Sequence, residues 1–256
     1  MPTALEVARR LPPLAAYLGY RALRASVVLP EFARYLLTRT RYRDLDGAER
    51  LRIVDSFPKL GDRMLTTPFD AHYLYQDSWA AQRVGEKTPP THVDVGSRVE
   101  LACFLTAICP VTFVDIRPLE AEIEGLTSLA GSVLDLPFAD HSLTSLSCLH
   151  VVEHVGLGRY GDPLDPAGTD KAIRELCRVV APGGRLLLST PVGRPRVCFN
   201  AHRVSDPHAI RAACAELELV EFAGVDDAGT FRRHRSIDEL DGQSYACGMF
   251  DLRRPA

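Results

Sequence analysis

Four short stretches of this chain carry residues able to handle a polar ligand, and each follows a run of strand-forming residues. In His92-Val-Asp94-Val-Gly96 the glycine permits a tight turn and a close backbone approach to a ligand, and a helix starting just beyond it offers free N–H groups. An ordinary strand-to-helix turn is the plain alternative. Asp115 closes Thr112-Phe-Val-Asp115, 21 residues past Asp94, and a carboxylate at that spacing can accept both hydroxyls of a ribose at once. The competing use is a solvated Asp115 paired with Arg117. Between Gly131 and Phe138, the residues Leu136, Pro137 and Phe138 can wall a flat base while Ser132 or Asp135 reaches its amino group; the same apolar side chains can equally just pack on a sheet. His150-Val-Val-Glu153-His154 sets two imidazoles and a carboxylate within one turn, a group that can act as a base or hold a metal. Capping or packing is the plain use of His154.

These residues meet only if the preceding strands lie side by side. In an open parallel sheet, ligands sit beyond the carboxyl ends of the strands, which is where every one of these polar groups falls. Strands are expected at 91–95, 111–115, 126–130, 144–149, 184–190, 217–223 and 245–251, and helices at 97–108, 168–180 and 205–216. The turn Arg178-Val-Val-Ala-Pro182-Gly-Gly184 stops a helix and starts the fifth strand, with no chemistry of its own. The connector from Asp226 to Gln243 reads as a long loop, so the chain ends in an antiparallel strand pair. The fold class is therefore α/β, a Rossmann-like, seven-stranded, mostly parallel sheet with an antiparallel last strand and a helical N-terminal extension.

That extension covers residues 1–90, with the α/β domain at 91–256 and the charged stretch Gly85–Pro90 as the boundary. Apolar spacing over 4–40, broken at Pro12-Pro13 and Pro30, implies two or three short amphipathic helices; further helices are expected from Gly47 to Ser56 and from Phe69 to Val84, the latter carrying His72, Tyr73 and the only tryptophan, Trp79. Residues 1–43 hold eight Arg against two Glu. This basic segment reads as a lid over the sheet or as a peripheral contact with anionic lipid.

Composition excludes several classes. With 256 residues, 46% of them hydrophobic, the chain can bury one substantial core. A formal charge of -3 gives no reason to expect nucleic acid. Arg9, Arg10, Arg21 and Arg24 interrupt any secretory-type apolar run, and no stretch approaches the ~20 apolar residues of a membrane span. Seven scattered cysteines without a C-x-x-C pair fit reduced thiols of a cytoplasmic protein, and no metal site is assigned.

Taken together, Val93-Asp-Val-Gly96, Phe113-Val-Asp115, Asp135-Leu-Pro-Phe138, His150-Val-Val-Glu-His154 and Arg178-Val-Val-Ala-Pro-Gly-Gly184 resemble the successive motifs of class I S-adenosylmethionine-dependent methyltransferases, over about residues 91–192. His92-Val-Asp-Val-Gly-Ser-Arg98, the insertion Gly156–Pro166 and Asn200-Ala-His-Arg203 are similar to an uncharacterised branch of that superfamily, a domain of unknown function. The resemblance implies S-adenosylmethionine as cofactor, with Asp94 and Gly96 beside its methionine portion, Asp115 on the ribose, Ser132 near the adenine and His150 beside the methyl group. Two departures stand out: Ser97-Arg98 replaces the glycine-rich continuation, and Ser132 replaces an acidic residue. Arg98 either pairs with the cofactor carboxylate or pairs with Asp94 and blocks the site.

Methyl transfer is an in-line displacement in which the protein aligns the reactants and excludes water. A hydroxyl acceptor also needs a base, for which the candidates are His150, His154 and His202. Contacts to a small-molecule or glycan-type acceptor are expected from Tyr160, Asp162, Asn200 and Arg203, since the loops after the fourth and fifth strands converge on the crevice. Two rivals are a noncatalytic scaffold of the same shape and an NADP-linked reductase using Arg117; the missing dinucleotide glycine pattern argues against the second.

Overall fold

The computed structural model describes residues 12–256, with side chains from residue 28 onward. These divide into two compact units, one ending at Pro68 and the other running from Phe69 to Ala256. Of the expected first helices, the part before Pro12 lies outside the described residues.

In the first unit a single helix, α1 (Pro12–Arg43), runs through Pro30 rather than breaking there. Proline removes one backbone donor, but the residues that follow are helix formers, and Glu31 pairs with Arg34 at 2.6 Å one turn on. The helix expected at 47–56 is reduced to a 3₁₀ turn at Ile53–Asp55, whose leading residue supplies no side-chain cap. Gly47 takes a positive φ of 77° and turns the chain beforehand. Among the described residues no helix is long and apolar enough to cross a membrane.

The second unit holds α2 (Ala71–Lys87), β1 (His92–Val95), α3 (Val99–Leu105), β2 (Val111–Asp115), β3 (Leu126–Ala130) and β4 (Leu143–Leu149). After these come α4 (Gly168–Val179), β5 (Val180–Val192), the hairpin β6 (Arg196–Cys198) and β7 (His202–Val204), α5 (Pro207–Ala213), β8 (Glu218–Val225), β9 (Phe231–Arg232) and β10 (Ala246–Arg253). One sheet runs β3-β2-β1-β4-β5-β10-β8-β9. Its first five strands are parallel, while β10 is antiparallel to both β5 and β8. The sheet has eight strands rather than seven, because the expected loop after Asp226 contributes β9, paired antiparallel to β8.

Strand order reverses between β1 and β4, so a crevice opens at their carboxyl ends. Alternate strand residues feed two cores. Val93, Val95, Leu146 and Leu186 pack with the stripe Ile173, Leu176 and Cys177 of α4, and Phe113, Leu187, Val225 and Met249 pack with α2 and α3.

The domain boundary expected near residue 90 moves to Pro68, because α2 belongs to the sheet. Its Trp79, Ala80 and Val84 are buried in the second core, and Asp70 caps it by accepting from the N–H groups of His72 and Tyr73. Arg83 binds the buried Glu221 at 3.1 Å, and Arg185 donates to the Arg83 carbonyl at 2.8 Å. A helix carrying this much buried surface is part of the fold and not an extension of it.

Between β1 and β4 lies a buried polar row. His92 Nδ1 is 2.7 Å from Ser145 Oγ and its Nε2 is 2.9 Å from Ser147 Oγ, while Ser147 donates in turn to Asp94. Asp94 also accepts from the Ser97 N–H at 3.1 Å. Burial pushes the Asp94 carboxyl up to about 6 despite these bonds, and it pushes His92 down to about 4.

Two expectations follow. Trp79→Ala should lower the unfolding free energy of the sheet unit by about 3–5 kcal/mol in denaturant titration; a detachable helix would leave it unchanged. The second concerns pH. Native Asp94 holds its proton to higher pH than in the unfolded chain, so its contribution to stability falls as pH rises from about 4 to 6. Native His92 releases its proton earlier than in the unfolded chain, so its contribution rises from about 4 to its ordinary value near 6.5. Asp94→Asn removes only the opposing slope, and its stability should climb relative to the parent by up to about 1.4 kcal/mol per pH unit between pH 4 and 6. Parallel profiles would show that Asp94 does not titrate there.

Candidate functional site

A crevice of about 400 Å³ lies at the carboxyl ends of β1 to β4, within the ~300–1,000 Å³ usual for small-molecule sites. Gly96 forms its floor at φ 67°, where a Cβ would come within 3.2 Å of Val151 and 3.7 Å of Asp115 Oδ2. Only glycine keeps this turn both relaxed and open. Asp115, at the end of β2, lines the crevice with its side chain 15% exposed. Its Oδ1 accepts from the Arg117 N–H at 2.7 Å, and Oδ2 has no protein partner among the described residues. The Arg117 guanidinium pairs with this carboxylate, Nε 3.7 Å from Oδ1, as the competing use had it, and it also stacks on Tyr160 at 4.4 Å, leaving Oδ2 to a ligand.

Ser132, Val133, Leu134 and Ile116 continue the wall. Ser132 Oγ accepts from the Leu134 N–H at 3.1 Å, which leaves its own proton to give. These residues fit a nucleoside: a carboxylate with a free oxygen, a hydroxyl and an apolar slot around an open glycine turn. Ser132 and not Asp135 reaches the crevice, since Asp135 is exposed beyond the turn. Leu136 and Phe138 face the first core and pack there, as the plain alternative had it.

Asp94 and Arg98 do not line the crevice. The Asp94 carboxylate is consumed by Ser97 and Ser147, so it shapes the turn from behind. The Ser97 N–H is thereby taken, and it is not among free donors. Arg98 takes neither expected course: its guanidinium pairs with Glu100 at 3.2 Å and lies 5.3 Å from the Tyr73 ring centre.

Beyond β4 the chain enters a 3₁₀ turn at Val152–His154. His150 adopts a positive φ of 54°, its Nδ1 lies 2.8 Å from Glu153 Oε1, and both side chains are buried. Burial opposes charge on His150, but Cys247 and Glu153 outweigh it and hold the imidazole well above its ordinary value. Glu153 is likewise disfavoured by burial yet held below the usual carboxylate range by His150. His154 lines the crevice, with Nδ1 donating to the Ala201 carbonyl at 2.6 Å. Burial lowers its pKa, so it is neutral with Nε2 as acceptor.

Three of the residues expected to touch an acceptor do something else. Asp162 borders the crevice, but its carboxylate accepts from the Gly156 and Tyr160 N–H groups. Arg203 donates to the Val155 and Asp165 carbonyls and staples the same loop. Asn200 is exposed outside the crevice. Tyr160 does line it. His202 is half-buried beside the Tyr245 ring, centroids 5.0 Å apart, outside the crevice wall.

Missed in the sequence were the residues that join His150 and Glu153 from afar. The His72 ring stacks on His150 at 5.5 Å and on Tyr245 at 5.0 Å. Burial first, then the charge of His150, pushes His72 down to about 4. Cys247 of β10 lies in the same cluster. The seven cysteines are all free, five of them buried.

Residues 139–235 match the family described as Caenorhabditis protein of unknown function, DUF268, a span that includes His150, His154, the Gly156–Pro166 loop and Arg203. No curated protein matches the chain. Among solved structures, geranyl diphosphate C-methyltransferase from Streptomyces coelicolor is similar at TM-score 0.52 and 15% identity, over 71% of this chain and 79% of that one. The (4+2)-cyclase SpnF gives 0.53 and 14%, over 71% and 81%, and the YcgJ protein from Bacillus subtilis gives 0.50 and 13%, over 72% and 99%. With its reversed strand order, its antiparallel β10 and these likenesses, the sheet unit has the fold of class I S-adenosylmethionine-dependent methyltransferases.

Proposed function

We propose that this protein is an S-adenosylmethionine-dependent methyltransferase that modifies a hydroxyl on a small-molecule or glycan-type acceptor. The observation that carries the reading is the Asp115 carboxylate at the end of β2, one oxygen unpartnered among the described residues and 3.7 Å from where a Cβ at Gly96 would stand. The cofactor, when bound, supplies a methyl group activated by a sulfonium. Asp115 accepts the two ribose hydroxyls, Ile116, Val133 and Leu134 enclose the flat base, and the Ser132 hydroxyl donates to it. His154 Nε2 takes the proton of the acceptor hydroxyl, its ring held in the required tautomer by Nδ1–H to the Ala201 carbonyl. Tyr160, clamped between the guanidinium groups of Arg117 and Arg159, forms the outer wall.

A noncatalytic scaffold is the second reading, favoured by Ser97 and Arg98 in place of a glycine-rich turn and by a cyclase among the similar structures. Calorimetry with S-adenosylhomocysteine separates the two. Binding should be measurable and weakened about 10- to 100-fold by Asp115→Ala, as for loss of hydrogen bonds to a charged acceptor. No heat at millimolar ligand, with Asp115→Ala indistinguishable, leaves the scaffold alone. With an acceptor found by screening hydroxylated compounds against radiolabelled cofactor, His154→Ala should leave cofactor affinity intact and lower kcat by about 10²–10⁴-fold.

A further inference from the structure

We propose that His72, His150 and Cys247 form a zinc site. These residues come from three distant parts of the chain, the first turn of α2, the end of β4 and the start of β10, and their ligand atoms all lie within 4.8 Å of one another. His150 is the pivot. With Nδ1 engaged by Glu153, Nε2 is the nitrogen left over, and it is fully buried with no hydrogen-bond partner among the described residues. An orphaned imidazole nitrogen in such a place needs a partner, and a cation supplies it in exchange for the proton the ring otherwise carries.

The surroundings have the form of a built site. A metal-bound histidine ordinarily gives its other N–H to a carboxylate, which fixes the tautomer and orients the ring; Glu153 Oε1 stands at 2.8 Å from Nδ1 for that purpose. Cys247 is wholly buried in the sheet, paired in register with Pro191 on one side and Val225 on the other, so its sulfur is fixed. His72 is half-buried on a helical first turn and is the ligand able to move. Zinc bonds of about 2.0–2.3 Å ask the three atoms to draw in by about 1 Å, with His72 swinging out of its stack on His150. Two imidazoles and a thiolate select zinc over magnesium or calcium. Three protein ligands leave a fourth position open. Of the three ligands, His150 also lines the crevice. The proposal does not rest on methyl transfer, as the crevice can take a nucleoside with or without the cation.

Cobalt(II) is the probe, titrated into full-length protein stripped with chelator. The expected result is one cobalt per chain, displaced by zinc, with a thiolate-to-cobalt charge-transfer band and the strong visible bands of a tetrahedral site. Cys247→Ser should abolish the charge-transfer band and Cys103→Ser should keep it. Glu153→Gln should weaken binding about 10–100-fold with the band retained. If Cys247→Ser does not fold, His72→Ala should still weaken binding at least about tenfold. No cobalt bound at micromolar concentration, or a charge-transfer band that survives both Cys247→Ser and His72→Ala, overturns the site.

Discussion

Asp94 has its carboxylate wholly inside the sheet, and the way the chain leaves β1 depends on how that group is satisfied. Solvent cannot reach it, so it takes the Ser97 N–H on one side and the Ser147 hydroxyl on the other. The first bond pulls the backbone around directly after β1 and obliges Gly96 into a positive φ. The second ties β1 to β4 at the place where strand order reverses. A crevice can open there only because the turn is held from beneath, by a group that never touches its interior. His92 and Ser145 extend the same row, so the central strands carry a line of hydrogen bonds where most parallel sheets carry aliphatic side chains.

Glu153 sets a second constraint. A carboxylate 1% exposed must be compensated by a positive partner or a metal-bound ring, and His150 meets it by accepting a left-handed backbone at the end of β4. Backbone of that kind persists only where the surroundings enforce it. Enforcement comes from the His150 N–H on the Ser189 carbonyl and from the buried Val152 on the next residue but one. The effect is to bury one histidine in the crevice wall while its neighbour one turn later lines the same wall.

The first three strands were legible because each is a short run ended by Gly or Asp, and all three fall within a residue of expectation. Register and strand order had no local signal in the sequence. Asp115 was legible for a related reason: its spacing from Asp94 reflects one strand, one helix and one return. Arg203 was misread because its guanidinium could go to a ligand or to carbonyls, and only the folded loop brings the Val155 and Asp165 carbonyls within its reach. His72 and Cys247 were invisible for a different reason. They are separated from His150 by 78 and 97 residues, and no periodicity reports a meeting made by strand order. Trp79 gave a usable hint, for a lone large aromatic in a helix demands burial, which places α2 against the sheet instead of ahead of it.

The Gly156–Pro166 loop spends its polar capacity on itself. Asp162 answers two of its N–H groups, Arg203 answers two carbonyls, and Asp165 accepts from Lys171 and the Ala167 N–H. What it turns toward the opening is a ring, Tyr160, near a second ring, His154. Flat surfaces of this sort sort molecules by outline, and a pocket that sorts by outline alone tells near relatives apart by only about 10- to 200-fold. Such an entrance discriminates weakly among flat molecules of similar outline.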